Sequence, residues 1–342
     1  MAVTRATTAW RLATGAAYGG GGLGLAGAGV LALLRQQARS ARRHVESRTV
    51  KVAPPPGDGV YGRGRGRPIV LAVLGDSTAA GLGVDRATQT PGVLLAAALA
   101  ELAERPVRLV RLAVSGARSW QLGEQVDKAL MEHPDVALVM IGGNDVTSRT
   151  APEVSVRHLR DAVGRLTEAG TQVVVGTCPD LGTVRPIGRP LRWLARRWSR
   201  QLAAAQTIAV VEAGGRTVSL GSVLGPSFAE DQDLFSVDEF HPSAAGYAAA
   251  AAVLLPSIAD ALGVWPAAAD RGLRNLRRDT VRPVATAAAR AAGRTGTEVQ
   301  ATAVRGSDTG PRGPWARLRR RRPPDLPTPE QAERAAEATP LA

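Results

Sequence analysis

The stretch IVLAVLGDSTAAG, residues 69–81, decides the fold. Its first six residues are aliphatic on both faces, which is typical of a strand buried between two layers of helices. Gly75, Asp76 and Ser77 follow at once, and a turn of this kind presents a serine hydroxyl at the edge of a sheet. A simpler interpretation is a capping turn in which Asp76 or Ser77 starts a helix.

Four later segments share this aliphatic character: residues 107–113, 136–141, 172–177 and 217–220. Helical patterns alternate with them over residues 91–104, 120–132, 152–169, 191–213 and 243–262. This alternation predicts one α/β domain, a three-layer α/β/α sandwich around a parallel five-stranded sheet. Because ligands bind outside the carboxyl ends of such strands, we expect the chemistry in the loops that follow them.

Charge is unevenly distributed along the 342 residues, whose formal net charge is +13. Residues 1–68 carry a net +9, residues 69–265 carry −3 and residues 266–342 carry +7. The central body is therefore mildly acidic, which argues against nucleic acid as its partner. The single cysteine excludes an internal disulfide, and the 44% content of hydrophobic residues excludes a wholly disordered chain.

The N-terminal leader contains an uncharged stretch, residues 12–34, that is long enough to span a bilayer. The arginines 35, 39, 42 and 43 follow it. We predict that residues 1–35 are a leader with a single-pass membrane anchor; a signal peptide and a soluble leader are the alternatives. Counting positive charges puts the body in the cytoplasm, but so weak a span can also act as an export signal. The side of the membrane stays open.

Two further segments have compositions that do not bury a core. Residues 36–68 are basic and rich in proline and glycine, which predicts a flexible linker. Residues 266–342 are rich in arginine, alanine and proline, which predicts a disordered tail, with residues 273–293 able to form a basic helix. These basic flanks can associate with an anionic surface. Residues 69–265 remain as the folded domain.

Hydrogen-bonding groups follow the next two predicted strands. Gly116 lies in LAVSGARS, where a glycine lets the backbone approach a ligand and donate its N–H. Asn144 lies in MIGGNDVT and offers a side-chain amide. The alternatives are an ordinary loop glycine, an Asx-turn at Asn144 and a helix cap at Asp145.

The late segment SVDEFHPSAAG contains Asp238 and His241. An aspartate three residues before a histidine can bind its Nδ1, which leaves Nε2 free to accept a proton. A surface histidine beside a solvated aspartate is the alternative. The other histidines are less suited to meet Ser77, because they lie in the leader, at the opposite sheet edge and within a helix: His44, His133 and His158.

These blocks, in this order, resemble the SGNH hydrolase superfamily, the GDSL esterases and lipases, in a bacterial single-domain form with an N-terminal membrane segment. Ser77 in GDS, Gly116 in SGA, Asn144 in GGND and the pair Asp238 and His241 in DEFH match its four defining blocks. The resemblance covers about residues 69–263. One departure is that AVSGAR lacks the asparagine that many relatives carry shortly before the glycine, which leaves substrate preference open.

The resemblance implies a flavodoxin-like fold and a serine esterase or lipase that acts on a small-molecule or lipid acyl ester. Ser77 would attack the ester carbonyl, His241 would act as general base and Asp238 would orient the imidazole. The oxyanion would be held by the N–H groups of Ser77 and Gly116 and by the amide of Asn144. No metal or organic cofactor is implied.

Two other functions remain open at this point. A metallophosphoesterase would use Asp76, Asn144 and His241 around a metal pair, although the body has few histidines to serve as ligands. A non-catalytic scaffold, tethered to the membrane, would bind anionic lipid or nucleic acid through its basic flanks. Cys178, after the fourth predicted strand, is expected to be a small buried core residue.

Overall fold

A computed structural model describes residues 28–49, 53–264 and 298–300. Residues 12–27 of the predicted membrane segment lie outside the described residues. So does the predicted tail apart from residues 298–300, including the basic segment 273–293.

Strands and helices alternate along the described chain. The strands are β1 (Gly59–Tyr61), β2 (Ile69–Gly75), β3 (Val107–Arg111), β4 (Val136–Met140), β5 (Gln172–Gly176), β6 (Arg216–Val218) and β7 (Glu298–Gln300). The longer helices are α1 (28–48), α3 (Pro91–Ala103), α4 (Leu122–Met131), α6 (Pro152–Glu168), α7 (Leu191–Glu212) and α10 (Ala244–Ala261). Four short helices are α2 (Ser77–Ala80), α5 (Gly143–Thr147), α8 (Leu220–Val223) and α9 (Gly225–Glu230).

Within the described residues, the strands form one sheet in the order β1-β3-β2-β4-β5-β6-β7. The five central strands are parallel, as predicted, and their order is the flavodoxin-like one. β1 and β7 add antiparallel edges beside β3 and β6. Both edge strands have three residues, too few for an alternating pattern to show in the sequence.

The core has two sides because successive residues of a strand face opposite ways. In β2, Leu71 and Val73 pack with α3 and α10, whereas Ala72 and Leu74 pack with α4 and α6. All seven residues of β2 are buried. The three-layer α/β/α architecture predicted from the sequence is therefore confirmed.

The structure corrects the predicted linker over residues 36–68. Helix α1 covers residues 36–48 of that range, and its apolar positions Leu34, Ala38 and Ala41 pack on the body at helical spacing. Strand β1 lies in the range too, and the Tyr61 hydroxyl donates to the Gly57 carbonyl oxygen at 2.7 Å. The composition of this segment is dominated by arginines, so composition alone does not show that its few apolar residues recur at helical spacing.

The predicted disordered tail also needs a correction at one place. Residues Glu298–Gln300 form β7, which pairs with Arg216–Val218 at the edge of the sheet. An edge strand forms through backbone hydrogen bonds to a strand that has unpaired backbone groups. The composition of such a segment therefore does not predict that it pairs.

Among the described helices, α10 alone is long and apolar enough to cross a membrane, by length and composition only. It packs in the core with α3, and 56% of its apolar window is buried. Its Tyr247 is fully buried and donates a hydrogen bond to the Leu82 carbonyl oxygen at 2.6 Å. These contacts are those of a core helix.

The strand order creates the position of the site. β2 lies next to β4, and the long helices that follow these two strands pack on opposite faces of the sheet, α3 on one face and α6 on the other. This arrangement opens a crevice at the carboxyl ends of these strands. Ser77, Gly116 and Asn144 all follow strands that end there.

We expect Gly75→Ala to destabilise the fold severely. Gly75 has a φ of 135°, and an added Cβ would lie 1.9 Å from the Met140 carbonyl oxygen of the neighbouring strand. Backbone strain and overpacking together should lower the free energy of unfolding by roughly 3 kcal/mol or more. Chemical denaturation of the purified variant measures this loss.

Gly123→Ala is the matched control. Gly123 lies in α4, and an added Cβ would meet nothing within 4 Å. This variant should be as stable as the wild type or slightly more stable, since alanine favours a helix. Equal stability of Gly75→Ala and wild type would contradict the packing described for β2 and β4.

Candidate active site

Ser77 is the first residue of α2, directly after the turn that follows β2, and 7% of it is exposed. Asp76 caps the helix, because its Oδ1 accepts a hydrogen bond from the Thr78 N–H at 2.9 Å. The Asp76 N–H donates to the Met140 carbonyl oxygen at 3.1 Å, which ties the turn to β4. The capping role considered from the sequence therefore belongs to Asp76, and the hydroxyl of Ser77 is left for another partner.

That partner is His241, from a loop 164 residues further along the chain. Its Nε2 lies 3.0 Å from Ser77 Oγ, and its Nδ1 lies 2.6 Å from Asp238 Oδ2. His241 is 6% exposed and Asp238 is 1% exposed. An ionised carboxylate only accepts, so Nδ1 carries the proton and Nε2 accepts from the Ser77 hydroxyl. The fold thus brings Ser77, His241 and Asp238 into one hydrogen-bonded row.

Asp238 is held by its own loop. Its Oδ1 accepts hydrogen bonds from Ser236 Oγ at 2.8 Å and from the N–H groups of Phe240 and His241, both at 2.9 Å. Burial raises the pKa of Asp238, but the hydrogen bonds and charge of His241 outweigh it and hold the pKa well below its usual value. The carboxylate is therefore charged at neutral pH.

The three predicted oxyanion donors follow the strands β2, β3 and β4 at the same end of the sheet. Within the described residues, no hydrogen bond engages the N–H of Ser77 or of Gly116. Gly116 is exposed and has a φ of 82°, which favours glycine. Asn144 Nδ2 donates to the Ala117 carbonyl oxygen at 3.1 Å, which orients the amide and leaves its second N–H for a ligand.

Comparison with known families agrees with this geometry. The model of the GDSL-like lipase/acylhydrolase family matches residues 73–249, more than half of the chain. The chain belongs to this family. It is therefore a carboxylic ester hydrolase.

Individual relatives extend the comparison. A GDSL-like esterase of Mycobacterium tuberculosis is 45% identical over 223 residues, which are 61% of this chain and 71% of the relative. An acetylxylan esterase from Geobacillus stearothermophilus is 18% identical, with coverage of 62% and 97% and a TM-score of 0.41. A lipase/acylhydrolase from Enterococcus faecalis is 19% identical, with coverage of 56% and 95% and a TM-score of 0.44.

One carboxylate of this GDSL-like hydrolase has a role that sequence reasoning missed. Asp145, a possible helix cap by sequence, is fully buried. It accepts hydrogen bonds from Ser119 Oγ at 3.0 Å, from the Ser119 N–H and from Ser155 Oγ at 2.9 Å. Asp145 therefore ties the loop that carries Gly116 to the helix that carries Asn144. Its position directly after Asn144 was the only signal in the sequence.

Two buried glutamines brace the strand ends of the hydrolase. Gln125 Oε1 accepts from the Gly75 N–H at 2.7 Å, and its Nε2 donates to the Gly75 carbonyl oxygen at 3.0 Å. Gln206 Nε2 donates to the Ile141 carbonyl oxygen at 2.9 Å, and its Oε1 accepts from the Cys178 N–H at 2.7 Å. Sequence reasoning missed both, because a glutamine within a helix is usually exposed.

Cys178 is a buried core residue, as expected, and its side chain is free of any disulfide. Burial raises the pKa of the Cys178 thiol well above its usual value, and the nearby carboxylates of Asp76, Asp145 and Asp180 add to this. Such a thiol is a poor nucleophile. In the part of the chain that the structure describes, no group of three or more His, Cys, Asp or Glu side chains could hold a metal ion.

Asp76 should make stability depend on pH. Burial raises its pKa to about 6, although the hydrogen bond from Thr78 and the charge of His241 oppose this. The folded state therefore binds more protons than the unfolded state between about pH 4 and pH 6, and stability falls as pH rises through this window. Asp76→Asn removes the ionisation, so its stability relative to wild type should increase from pH 4 to pH 7, by roughly 2 kcal/mol.

Denaturant unfolding at several pH values checks this expectation. Asp85→Asn is the control, because Asp85 is exposed on the loop that follows the same turn. A constant difference in unfolding free energy between Asp76→Asn and wild type across this range would show that Asp76 is not the buried, costly carboxylate described above.

Proposed function

We propose that this hydrolase cleaves carboxylic acyl esters through an acyl-enzyme formed on Ser77, with His241 as general base. The observation that carries the proposal is the buried row of hydrogen bonds from Ser77 Oγ through His241 to Asp238, with lengths of 3.0 and 2.6 Å. Membership in an esterase family supplies the reaction class. Ser77, His241 and Asp238 are the residues that we assign to this reaction.

In the first half-reaction, Ser77 Oγ attacks the ester carbonyl carbon while His241 Nε2 takes the hydroxyl proton. Asp238 keeps the Nδ1 proton in place and stabilises the imidazolium that forms. The tetrahedral intermediate then collapses, and the departing alkoxide takes the proton from His241. The products of this half-reaction are an alcohol and an acyl ester of Ser77.

In the second half-reaction, His241 takes a proton from water, which attacks the acyl carbon, and Ser77 Oγ leaves with that proton. In both halves negative charge develops on the former carbonyl oxygen. The free N–H groups of Ser77 and Gly116 and the second amide N–H of Asn144 are the donors we assign to this oxygen. The hydrogen bonds that Asp145 accepts from Ser119 and that Gln125 accepts from Gly75 hold these segments before substrate arrives.

The substrate class we propose is a small-molecule or lipid acyl ester. Two exposed valines flank the site in the chain: Val114 lies two residues before Gly116 and is 48% exposed, and Val237 precedes Asp238 and is 69% exposed. Exposed aliphatic side chains beside a polar site suit the apolar part of an acyl ester. A non-catalytic scaffold would have no use for the buried row at Ser77, so we do not favour it.

We also propose that a single-pass anchor holds the protein at a membrane. In support, the described part of α1 includes the exposed apolar residues Val30, Leu31 and Leu33, which belong to the uncharged stretch 12–34. The arginines that follow can meet anionic headgroups: Arg35, Arg39, Arg42 and Arg43.

Substitution of the proposed nucleophile and of one oxyanion donor tests the function. Ser77→Ala should lose nearly all hydrolysis of p-nitrophenyl acetate and all labelling by a fluorophosphonate probe, because the hydroxyl that bonds His241 is gone. Asn144→Ala should keep the labelling but lose about 10²- to 10³-fold in kcat, because one oxyanion donor is gone.

Ser148→Ala is the control for these assays, since Ser148 is exposed at the end of α5 and lies outside the row. It should behave as wild type. If folded Ser77→Ala hydrolysed the ester at the wild-type rate, Ser77 would not be the nucleophile.

Membrane fractionation tests the anchor. The full chain should stay in the membrane pellet after alkaline carbonate extraction. Leu23→Asp with Leu25→Asp should shift it to the supernatant, since each charge in the span costs about 3 kcal/mol. Release of the unaltered chain by carbonate would contradict a spanning anchor.

A further inference from the structure

Helix α1 reaches the proposed active site at its carboxyl end. Thr49, the residue after the helix, donates a hydrogen bond from Oγ1 to Asp238 Oδ2 at 2.9 Å. This oxygen is the one that binds His241 Nδ1. Thr49 lies outside residues 73–249, which carry the match to the family. The contact therefore comes from the N-terminal extension, by which we mean the residues before position 73.

The five hydrogen bonds of Asp238 are divided unequally between its two oxygens. Oδ1 accepts from Ser236, Phe240 and His241, all within its own loop. Oδ2 accepts from the His241 ring and from Thr49. Among the described residues, Thr49 is thus the donor that fixes the Asp238 carboxylate from outside the loop, and it acts on the oxygen that faces the imidazole.

The proton of the Thr49 hydroxyl is available for this bond. The hydroxyl also lies 2.8 Å from the Val45 carbonyl oxygen, which accepts the backbone N–H of Thr49 at 2.7 Å as well. A hydroxyl has one proton, and a charged carboxylate is a stronger acceptor than an amide carbonyl. The Thr49 hydroxyl therefore directs its proton to Asp238.

A second set of contacts docks α1 on the same loop. Glu239, next to Asp238, accepts a hydrogen bond from Arg48 Nη1 at 2.6 Å, and its Oε1 lies 3.3 Å from His44 Nε2. Further along the helix, Ala41 is buried against the body, and Gln37 Oε1 accepts from the Leu191 N–H at 3.2 Å. Contacts along the length of α1 thus hold Thr49 in place.

We propose that Thr49 is a positioning residue for acyl transfer. Its hydroxyl holds the Asp238 carboxylate in the orientation that aligns His241 with Ser77, and α1 delivers it. This inference rests on the proposed roles of Ser77, His241 and Asp238. It follows that the N-terminal extension has a part in catalysis, in addition to its proposed part in membrane attachment.

Kinetics of the full chain test this proposal. Thr49→Val removes the hydroxyl and keeps the branched shape, and kcat for p-nitrophenyl acetate should fall about tenfold, while KM stays within about twofold. Phosphonylation of Ser77 by the fluorophosphonate probe should slow by a similar factor. Thr49→Ser keeps the donor and should restore both rates to within about twofold of wild type.

A control and a second variant complete the design. Ser47→Ala alters a neighbouring hydroxyl that bonds only within α1, to the His44 carbonyl oxygen, and should behave as wild type. Arg48→Ala loosens the docking on Glu239 and leaves the Thr49 hydroxyl intact, so kcat should fall about two- to threefold at unchanged KM. Because Arg48 is exposed, this variant tests the docking even where Thr49→Val unfolds.

Wild-type kcat in folded Thr49→Val would overturn the proposal, as would equal losses in Thr49→Val and Thr49→Ser or an effect on KM alone. If Thr49→Val did not fold, wild-type kcat in Arg48→Ala would overturn it. These outcomes differ from failure of the proposed function, in which the probe would not label Ser77 of the wild-type protein at all.

Discussion

A buried carboxylate that stays ionised is the constraint on which the site depends. Asp238 is almost fully buried, and the free energy lost by removing its charge from water has to be recovered from hydrogen bonds. Five donors reach its two oxygens, and one of them is the imidazole that also bonds the Ser77 hydroxyl. The hydrogen bonds that stabilise the Asp238 carboxylate thus also orient His241, and through it the Ser77 hydroxyl. This explains why the short loop around Asp238 packs against both the strand end at Ser77 and the N-terminal helix.

The other half of the site is held in place by hydrogen bonds of a different kind, from buried polar side chains to the backbone and to serine hydroxyls. Each proposed oxyanion donor follows a parallel strand within a few residues, and buried polar side chains bond these segments to their neighbours. Gln125 pairs with both backbone groups of Gly75, and Asp145 joins the loop of Gly116 to the helix of Asn144. A donor that is held before the substrate arrives does not need to be reorganised during the reaction, which is the physical basis of oxyanion stabilisation.

Part of the positive charge of the chain has a specific structural role. Part of the basic N-terminal region is a helix docked on the body, and its Arg48 neutralises Glu239 beside Asp238. The earlier arginines, at positions 35, 39, 42 and 43, lie between the uncharged stretch and Arg48 in the sequence. A segment whose composition predicts a flexible linker therefore contacts the proposed active site directly. The same segment joins the proposed anchor to Asp238, the carboxylate that orients His241.

The sequence by itself determined the five parallel strands, the helices between them and the identity of Ser77, Gly116, Asn144, Asp238 and His241 as candidates, because buried strands and short motifs are written in local patterns. It did not reveal α1 as part of the body, the edge strands or the buried partners Asp145, Gln125 and Gln206. Each of these depends on a contact between distant parts of the chain, such as Thr49 with Asp238 across 189 residues. Local pattern fixes which side chains are available, and only the tertiary structure decides which of them meet.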